Sequence, residues 1–362
     1  MKPEFWSGRR VLITGHTGFK GSWLCLWLQH AGADLTGYAL PPPTRPSLYQ
    51  LAKIGKQMRS CEADVRDLAT LQCAISEHRP EVVFHLAAQS VVRRSYREPV
   101  DTYATNVLGT VNLLEAVRHA DSPCAVVIVT SDKCYEPHAG AEPPPHAEGD
   151  HLGGHDPYSN SKACAELVTA AYRRSYGLNV ATVRAGNAIG GGDWTEGQLI
   201  PELVRGAVAQ RPAQLRNPEA VRPWQFVLEP LAGYVQVAEC LARGDRSAAT
   251  SWNFGPDASE IRSVSWIADF VVRRWGEGAS YESDPIHSHP HETQCLRLDA
   301  GKAREQLGWA PRLSLDTALE WTVDWYKGLH AGADAAKLTL RDIARYEELP
   351  CVAPLQHLPM TV

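Results

Sequence analysis

The segment RVLITGHTGFKGSWLCLWLQHAG, residues 10–32, decides the fold. A short apolar run ends at Gly15, Gly18 and Gly21 follow at three-residue spacing, and a longer apolar stretch comes after them. The first run reads as a buried strand and the second as a helix. Lacking side chains, the glycines let backbone amides approach a pyrophosphate, and the positive end of the helix dipole adds to the attraction. A tight turn that needs glycine only for its backbone geometry is the alternative. Placement between a strand and a helix favours dinucleotide binding, through Gly15, Thr17, Gly18, Phe19 and Gly21. The loop is not a Walker A motif, because no Lys-Ser/Thr pair follows at the right place.

Working outward, further apolar runs (DLTGYAL, EVVFHLAA, AVVIVTS, NVATVRAG) alternate with helical stretches at about 21–31, 67–78, 99–119, 157–176 and 199–210. Later helices are expected at about 228–243, 263–275, 300–307 and 315–328. Such alternation predicts an α/β chain with a parallel sheet covered on both faces, wound by right-handed crossovers into a Rossmann-like doubly wound sheet. Residues 1–186 are read as the dinucleotide-binding domain, with about 225–255 returning to it. Polar loops rich in Gly, Pro and Trp mark 187–330 as mainly a smaller, C-terminal substrate-binding lobe. Residues 331–362 carry a helical stretch, TLRDIARYEE, and a tail.

The chain of 362 residues is 44% apolar and 21% charged, ordinary values for a globular protein. Its 36 basic and 41 acidic residues give a formal charge of −5, with no basic block to bind nucleic acid. The N-terminal stretch has no signal-peptide pattern and no apolar run reaches membrane-spanning length, which predicts a cytoplasmic protein without a membrane partner. Nine scattered cysteines without a CxxC pair suggest buried free thiols.

Two short segments carry the chemistry. VTSDKCYE, residues 129–136, ends an apparent strand with Ser131, Asp132 and Lys133 side by side. PYSNSK, residues 157–162, opens a helix and sets Tyr158 four residues before Lys162, so both side chains share one helix face. A cation beside a phenol favours the phenolate, which can accept an alcohol proton as hydride leaves carbon. Taken alone, each segment also reads as a polar turn or as a tyrosine beside a solvated lysine. The acid that normally follows the second strand to hold the ribose hydroxyls is missing from GYALPPPT. Thr44 and Arg45 lie close by, so the charge pattern leaves a phosphorylated ribose open. Asp64, in EADVRD, is a candidate acceptor for the adenine amino group, or a surface turn acid.

TGHTGFKG, HLAAQ (85–89), TSDKCYE, YSNSK, RAGN (184–187) and RPW (222–224) together resemble the extended short-chain dehydrogenase/reductase family, over about residues 8–330. Within it, TSDK, GGGDW, NPEAVRPWQ and HPHE most resemble the CDP-glucose 4,6-dehydratases. The resemblance implies NAD as cofactor and CDP-glucose as substrate. It also implies a redox-neutral sequence of C4 oxidation, loss of water across C5 and C6, and hydride return to C6. Carried onto this chain, Ser131, Tyr158 and Lys162 serve the oxidation, Asp132 is the acid, and Val65, Leu86, Ala87 and Ala88 line the cofactor. Related dTDP- and GDP-sugar dehydratases have Glu where this chain has Lys133, so Lys133 can be the C5 base only when neutral. A sugar-nucleotide 4-epimerase and a non-catalytic dinucleotide-sensing scaffold are the alternatives.

Gln89, Arg94, Arg184, Asn187 and Arg222 are candidate substrate contacts, the arginines suiting a diphosphate; polar loops and surface ion pairs are the ordinary alternatives. Asn106 either shapes the site through a backbone contact or is a buried amide satisfied by the neighbouring helix. Trp194 and Trp224 either stack on substrate or pack a small lobe. Histidines 138, 146, 151 and 155, and 287, 289 and 291, tempt a metal reading, but no cysteine or carboxylate completes a recognisable set, and no metal is expected. Leu108, Val111, Leu114, Leu167 and Val168 leave more than one apolar face on helices 99–119 and 157–176. By resemblance these helices pair in a homodimer, with a tetramer left open.

Overall fold

Strand β1 (Arg10–Thr14) lies inside the sheet, and four of its five residues are buried. In this computed structural model, residues 1–122, 124–138, 140, 143–283 and 296–350 are described. His287, His289 and His291 and the tail from residue 351 lie outside the described residues. Around β1 stand β2 (Asp34–Ala39), β3 (Arg59–Glu62), β4 (Val82–His85), β5 (Ala125–Val129), β6 (Val180–Ala185) and β7 (Ser251–Phe254). The order across the sheet is β7-β6-β5-β4-β1-β2-β3 and every pairing is parallel. The doubly wound sheet expected from the sequence is therefore present. Alternate β1 residues feed two cores, Val11 and Ile13 on one face and Leu12 on the other.

Helix α1 (Phe19–His30) follows the glycine loop and α2 (Leu68–His78) follows β3. The third helical stretch is not the continuous helix that the periodicity predicts. Pro99–Tyr103 and Gly109–Arg118 are joined by a π-helical turn, Ala104–Leu108, which carries Asn106. Such turns arise where a side chain must be re-aimed. Here Asn106 accepts from the Gln89 backbone N–H at 2.8 Å and donates to the Gln89 carbonyl at 3.0 Å and the Ser161 hydroxyl at 2.8 Å. Asn106 is thus a buried amide satisfied by the Gln89 backbone and by Ser161.

Helix α3 (Pro157–Tyr176) begins with Pro157 at its first turn, with Asp156 accepting from the Ser159 N–H, and stops at Gly177 in the left-handed region. Past β6, among the described residues, the chain forms three two-stranded pieces and helices that include Leu199–Val208 and Val264–Trp275. Ala335–Glu348 then packs back on α1, where the Trp27 indole donates to Glu347 at 2.9 Å.

Behind the sheet edge, Arg184 of β6 donates to Glu166 of α3 at 2.8 Å, and Thr130 and Thr182 donate to the same carboxylate. Both charged partners are almost fully buried. Removing one charge from such a pair strands the other. Glu166→Ala is expected to cost about 3–5 kcal/mol in urea unfolding; a loss below about 1 kcal/mol, the range of an exposed pair, would contradict this placement.

Candidate active site

The candidate site lies where β1, β4, β5 and β6 finish, at the carboxyl edge of the sheet, the usual place for a ligand in an open α/β fold. The glycine loop lies there, between β1 and α1. Gly15 has φ +73°, and a Cβ there would stand 2.6 Å from the Ala87 nitrogen. A Cβ on Gly21 would stand 2.2 Å from the Gly15 carbonyl oxygen, so these two glycines let the loop fold tightly against the β4 end. Gly18 differs, since a Cβ there meets only the Gly15 oxygen, at 3.4 Å. Gly18 also caps α1 and, having no side chain, makes no capping hydrogen bond to that end. An open glycine at an uncapped helix N-terminus fits a pyrophosphate.

The neighbouring cofactor candidates surround this loop. Thr17 donates to the Leu40 carbonyl at 2.9 Å and thereby ties the loop to the β2 end. Phe19 lies 3.3 Å from where a Gly190 Cβ would stand. The Leu86 and Ala87 amides bond to the Thr14 carbonyl and hydroxyl, at 3.1 and 3.2 Å, with part-buried Ala88 next in the chain. Val65 turns its side chain into the second core. Asp64 is held by Arg66 at 2.6 Å, and this guanidinium keeps its carboxyl below the usual range. At the β2 end, His16 is buried against Gly37 and hydrogen-bonds Ser60 at 2.8 Å. Burial lowers its pKa to about 4, so the imidazole is neutral there.

At the β5 end, Ser131 is the cap of a single 3₁₀ turn, Asp132–Cys134; its hydroxyl accepts from the Lys133 N–H and donates to Asp132 Oδ1 at 2.9 Å. Asp132 is 3% exposed, and its other oxygen, Oδ2, has no hydrogen-bond partner among the described residues. Gly186 makes room for it, because a Cβ there would lie 3.0 Å from Oδ2. Burial raises the Asp132 pKa, while Lys133, Ser131, Lys20 and Arg222 oppose that shift. Lys133 is half-buried beside it.

Tyr158 and Lys162 reach the same cleft from α3. Both are buried, and Lys162 donates to the Val129 carbonyl at 3.1 Å. Burial pushes the phenol's pKa up, and the Ser131 hydroxyl pulls the other way. Lys162 is lowered to about 8, first by burial and then by the charge of Lys20. Ser131, Asp132, Lys133, Tyr158 and Lys162, drawn from two segments of the sequence, are thus brought together.

The substrate candidates divide. Arg222 is buried and its charge acts on Asp132. Asn187 is half-buried on the loop after β6, next to Gly186. Arg184 is a correction: Glu166, the Tyr135 hydroxyl and the Glu148 carbonyl hold its guanidinium inside the protein. Gln89 is another, because its side-chain amide is engaged by Val91 and Thr102. Arg94 is exposed and pairs with Glu98 and Asp101. Trp224 is buried and donates to the Arg262 carbonyl, and Trp194 packs edge-on against Tyr326.

Three groups near the cleft escape sequence reading. Tyr234 is buried within the field of Asp132 and Tyr158, Asp193 sits on the Gly-rich loop after β6, and Lys20 stands inside the glycine motif. The sequence also hides a carboxylate beside the first histidine group. His138, His146 and Asp150 place their ligand atoms within 4.8 Å of one another. The two imidazoles stack at 4.1 Å and 14°, and a nitrogen of each ring lies 3.2 Å from Asp150 Oδ2.

Comparison with known proteins agrees with this geometry. Residues 12–322 match the family described as GDP-mannose 4,6 dehydratase. The chain is 46% identical over 352 residues to a CDP-glucose 4,6-dehydratase of Salmonella typhimurium, covering 95% of this chain and 97% of that protein. It is 26% identical to a dTDP-glucose 4,6-dehydratase of Neisseria meningitidis, over 88% of this chain and 93% of that one. A crystal structure of the dTDP-glucose 4,6-dehydratase of Streptomyces venezuelae with NAD bound superposes with a TM-score of 0.78 at 25% identity, covering 91% of this chain and 100% of that chain. The match over most of the chain, together with a phenol, an amine and a carboxyl meeting above a glycine loop, makes this chain a member of the GDP-mannose 4,6 dehydratase family.

Proposed function

We propose that this chain dehydrates CDP-D-glucose to CDP-4-keto-6-deoxy-D-glucose. The observation that carries this reading is the buried Asp132 carboxyl, with Oδ2 unpartnered, in the cleft that also holds Tyr158 and Lys162. Beside the nicotinamide that takes the hydride, oxidation at C4 needs a phenol and its cation; elimination of water also needs an acid. The likeness to the Salmonella CDP-glucose 4,6-dehydratase supports the choice of nucleotide.

Gly15, Thr17, Gly18, Phe19 and Gly21 would hold NAD, which would supply the acceptor for the C4 hydride and the source of the hydride returned to C6. Tyr158 accepts the C4 hydroxyl proton at its phenolic oxygen while Lys162 favours the phenolate. Ser131 holds the C4 oxygen beside the phenol. The ketone at C4 acidifies the C5 hydrogen; Lys133 removes it as a proton and, after exchange with solvent, returns a proton to C5 as hydride enters C6. Asp132, kept protonated by burial, gives its proton to the departing C6 hydroxyl. Arg222 and Asn187 meet the substrate's diphosphate from the lobe formed mainly by residues 187–330. Residues 225–255 rejoin the domain begun by 1–186.

The protein acts as a homodimer in this reading. Leu108 and Leu167 are 56% and 59% exposed on helices that pack together, and Val100 and Tyr176 are also exposed on those stretches. No helix among the described residues is long and apolar enough to cross a membrane.

Incubation with CDP-glucose in heavy water is expected to give a 4-keto-6-deoxy product with solvent deuterium at C5 and no net consumption of NAD. A C4 epimer formed without loss of water, or turnover only of another nucleotide, would overturn the assignment. In Asp132→Asn, absorbance at 340 nm should rise and persist, with overall turnover falling about 10²–10⁴-fold. Normal product formation by that variant would place the acid elsewhere. Tyr158→Phe should bind NAD yet show no 340 nm signal on adding CDP-glucose; full activity would contradict the oxidation step.

A further inference from the structure

The loop between β5 and α3 gathers two imidazoles and a carboxylate that have no part in the dehydration. His138 Nε2 and His146 Nδ1 each lie 3.2 Å from Asp150 Oδ2, and the Ala147 N–H donates to the same oxygen, also at 3.2 Å. One carboxylate oxygen offers about two lone-pair sites, so Oδ2 is oversubscribed as a hydrogen-bond acceptor. All three contacts also sit at the long end of the N–H···O range. The same spacing suits a metal ion: donor atoms about 2.0–2.1 Å from a tetrahedral zinc ion stand about 3.3 Å from one another.

The fold fixes these donors. His146 is 3% exposed; its N–H donates to the Arg297 carbonyl and its carbonyl accepts from the Asp299 N–H, each at 2.9 Å. Its ring lies between Tyr135, 4.6 Å away and parallel within 4°, and His138. The Asp150 N–H closes a turn onto the Ala147 carbonyl at 3.1 Å. His138 and Asp150 are 33% and 31% exposed, so water reaches a fourth position.

We propose that His138, His146 and Asp150 form a binding site for one zinc ion, with water as the fourth ligand. Two imidazoles favour such an ion over magnesium or calcium, which take oxygen donors. Stacked rings cannot both hold one ion in their planes, so the exposed His138 ring turns out of the stack as the ion enters. The bound ion clasps the 138–150 loop, whose ends lead to the Ser131–Lys133 turn and to the helix carrying Tyr158. It supplies no step of the reaction, and the site stands whether or not the dehydratase reading holds.

The test uses the full chain without an affinity tag, stripped of metal by a chelator and titrated with zinc chloride by calorimetry. One zinc ion per chain is expected. Binding should weaken at least about 10-fold in His138→Phe, which keeps an aromatic ring on the stack, and in Asp150→Asn, which keeps the turn. It should persist in the variant carrying His287→Ala, His289→Ala and His291→Ala. Zinc should raise the melting temperature of wild type and of that triple variant, but not of His138→Phe. Failure to bind one zinc ion per chain, affinity unchanged in both His138→Phe and Asp150→Asn, or binding lost only in the triple variant would overturn the proposal.

Discussion

A carboxyl group withdrawn from water with one oxygen left unpartnered is the constraint on which this cleft depends. Burying an unsatisfied polar atom costs free energy, and folded proteins seldom tolerate it. Asp132 bears that cost at the end of β5, and Gly186 is small enough to leave the space. A neutral carboxyl suits such a place better than an ionised one, which is the state an acid catalyst needs. Stability and reactivity therefore depend on the same feature.

The contrast with Glu166 shows that the fold could have satisfied Asp132. Glu166 is just as buried, yet Arg184, Thr130 and Thr182 occupy its oxygens. That network pins α3 to β6, and α3 carries Tyr158 and Lys162. A saturated ion pair behind the sheet edge thus fixes the frame from which the phenol and amine reach an unsaturated acid. The π turn at Asn106 serves the same end from the other side, because it clamps the loop after β4 to Ser161 on α3.

Much of this was legible in the sequence because it is local. Glycine spacing, the Tyr158 to Lys162 interval and the polar end of β5 each lie within one element, where periodicity and turn chemistry operate. What escaped depends on partners distant in sequence. Arg184 reads as a diphosphate ligand until Glu166, on a different element, is seen to claim it. Gln89 reads as a site residue until its amide is found turned back on Val91 and Thr102. The π turn leaves no mark in hydrophobic spacing, since one extra residue shifts the pattern little. Lys20 was passed over for the opposite reason: it sits inside a motif read for its glycines. Asp150 was hidden among loop residues until the fold set it beside His138 and His146.

The central claim is that one cleft oxidises a hexose at C4 and restores the hydrogen at C6 of the same molecule, with Tyr158 and Asp132 serving one ring. Turnover of an equal mixture of CDP-[4-²H]glucose and CDP-[¹³C₆]glucose, followed by mass analysis of the product, tests this most directly. The account predicts deuterium at C6 confined to the ¹³C-free product. Deuterium scattered into the ¹³C-labelled product, or lost to solvent, would contradict it.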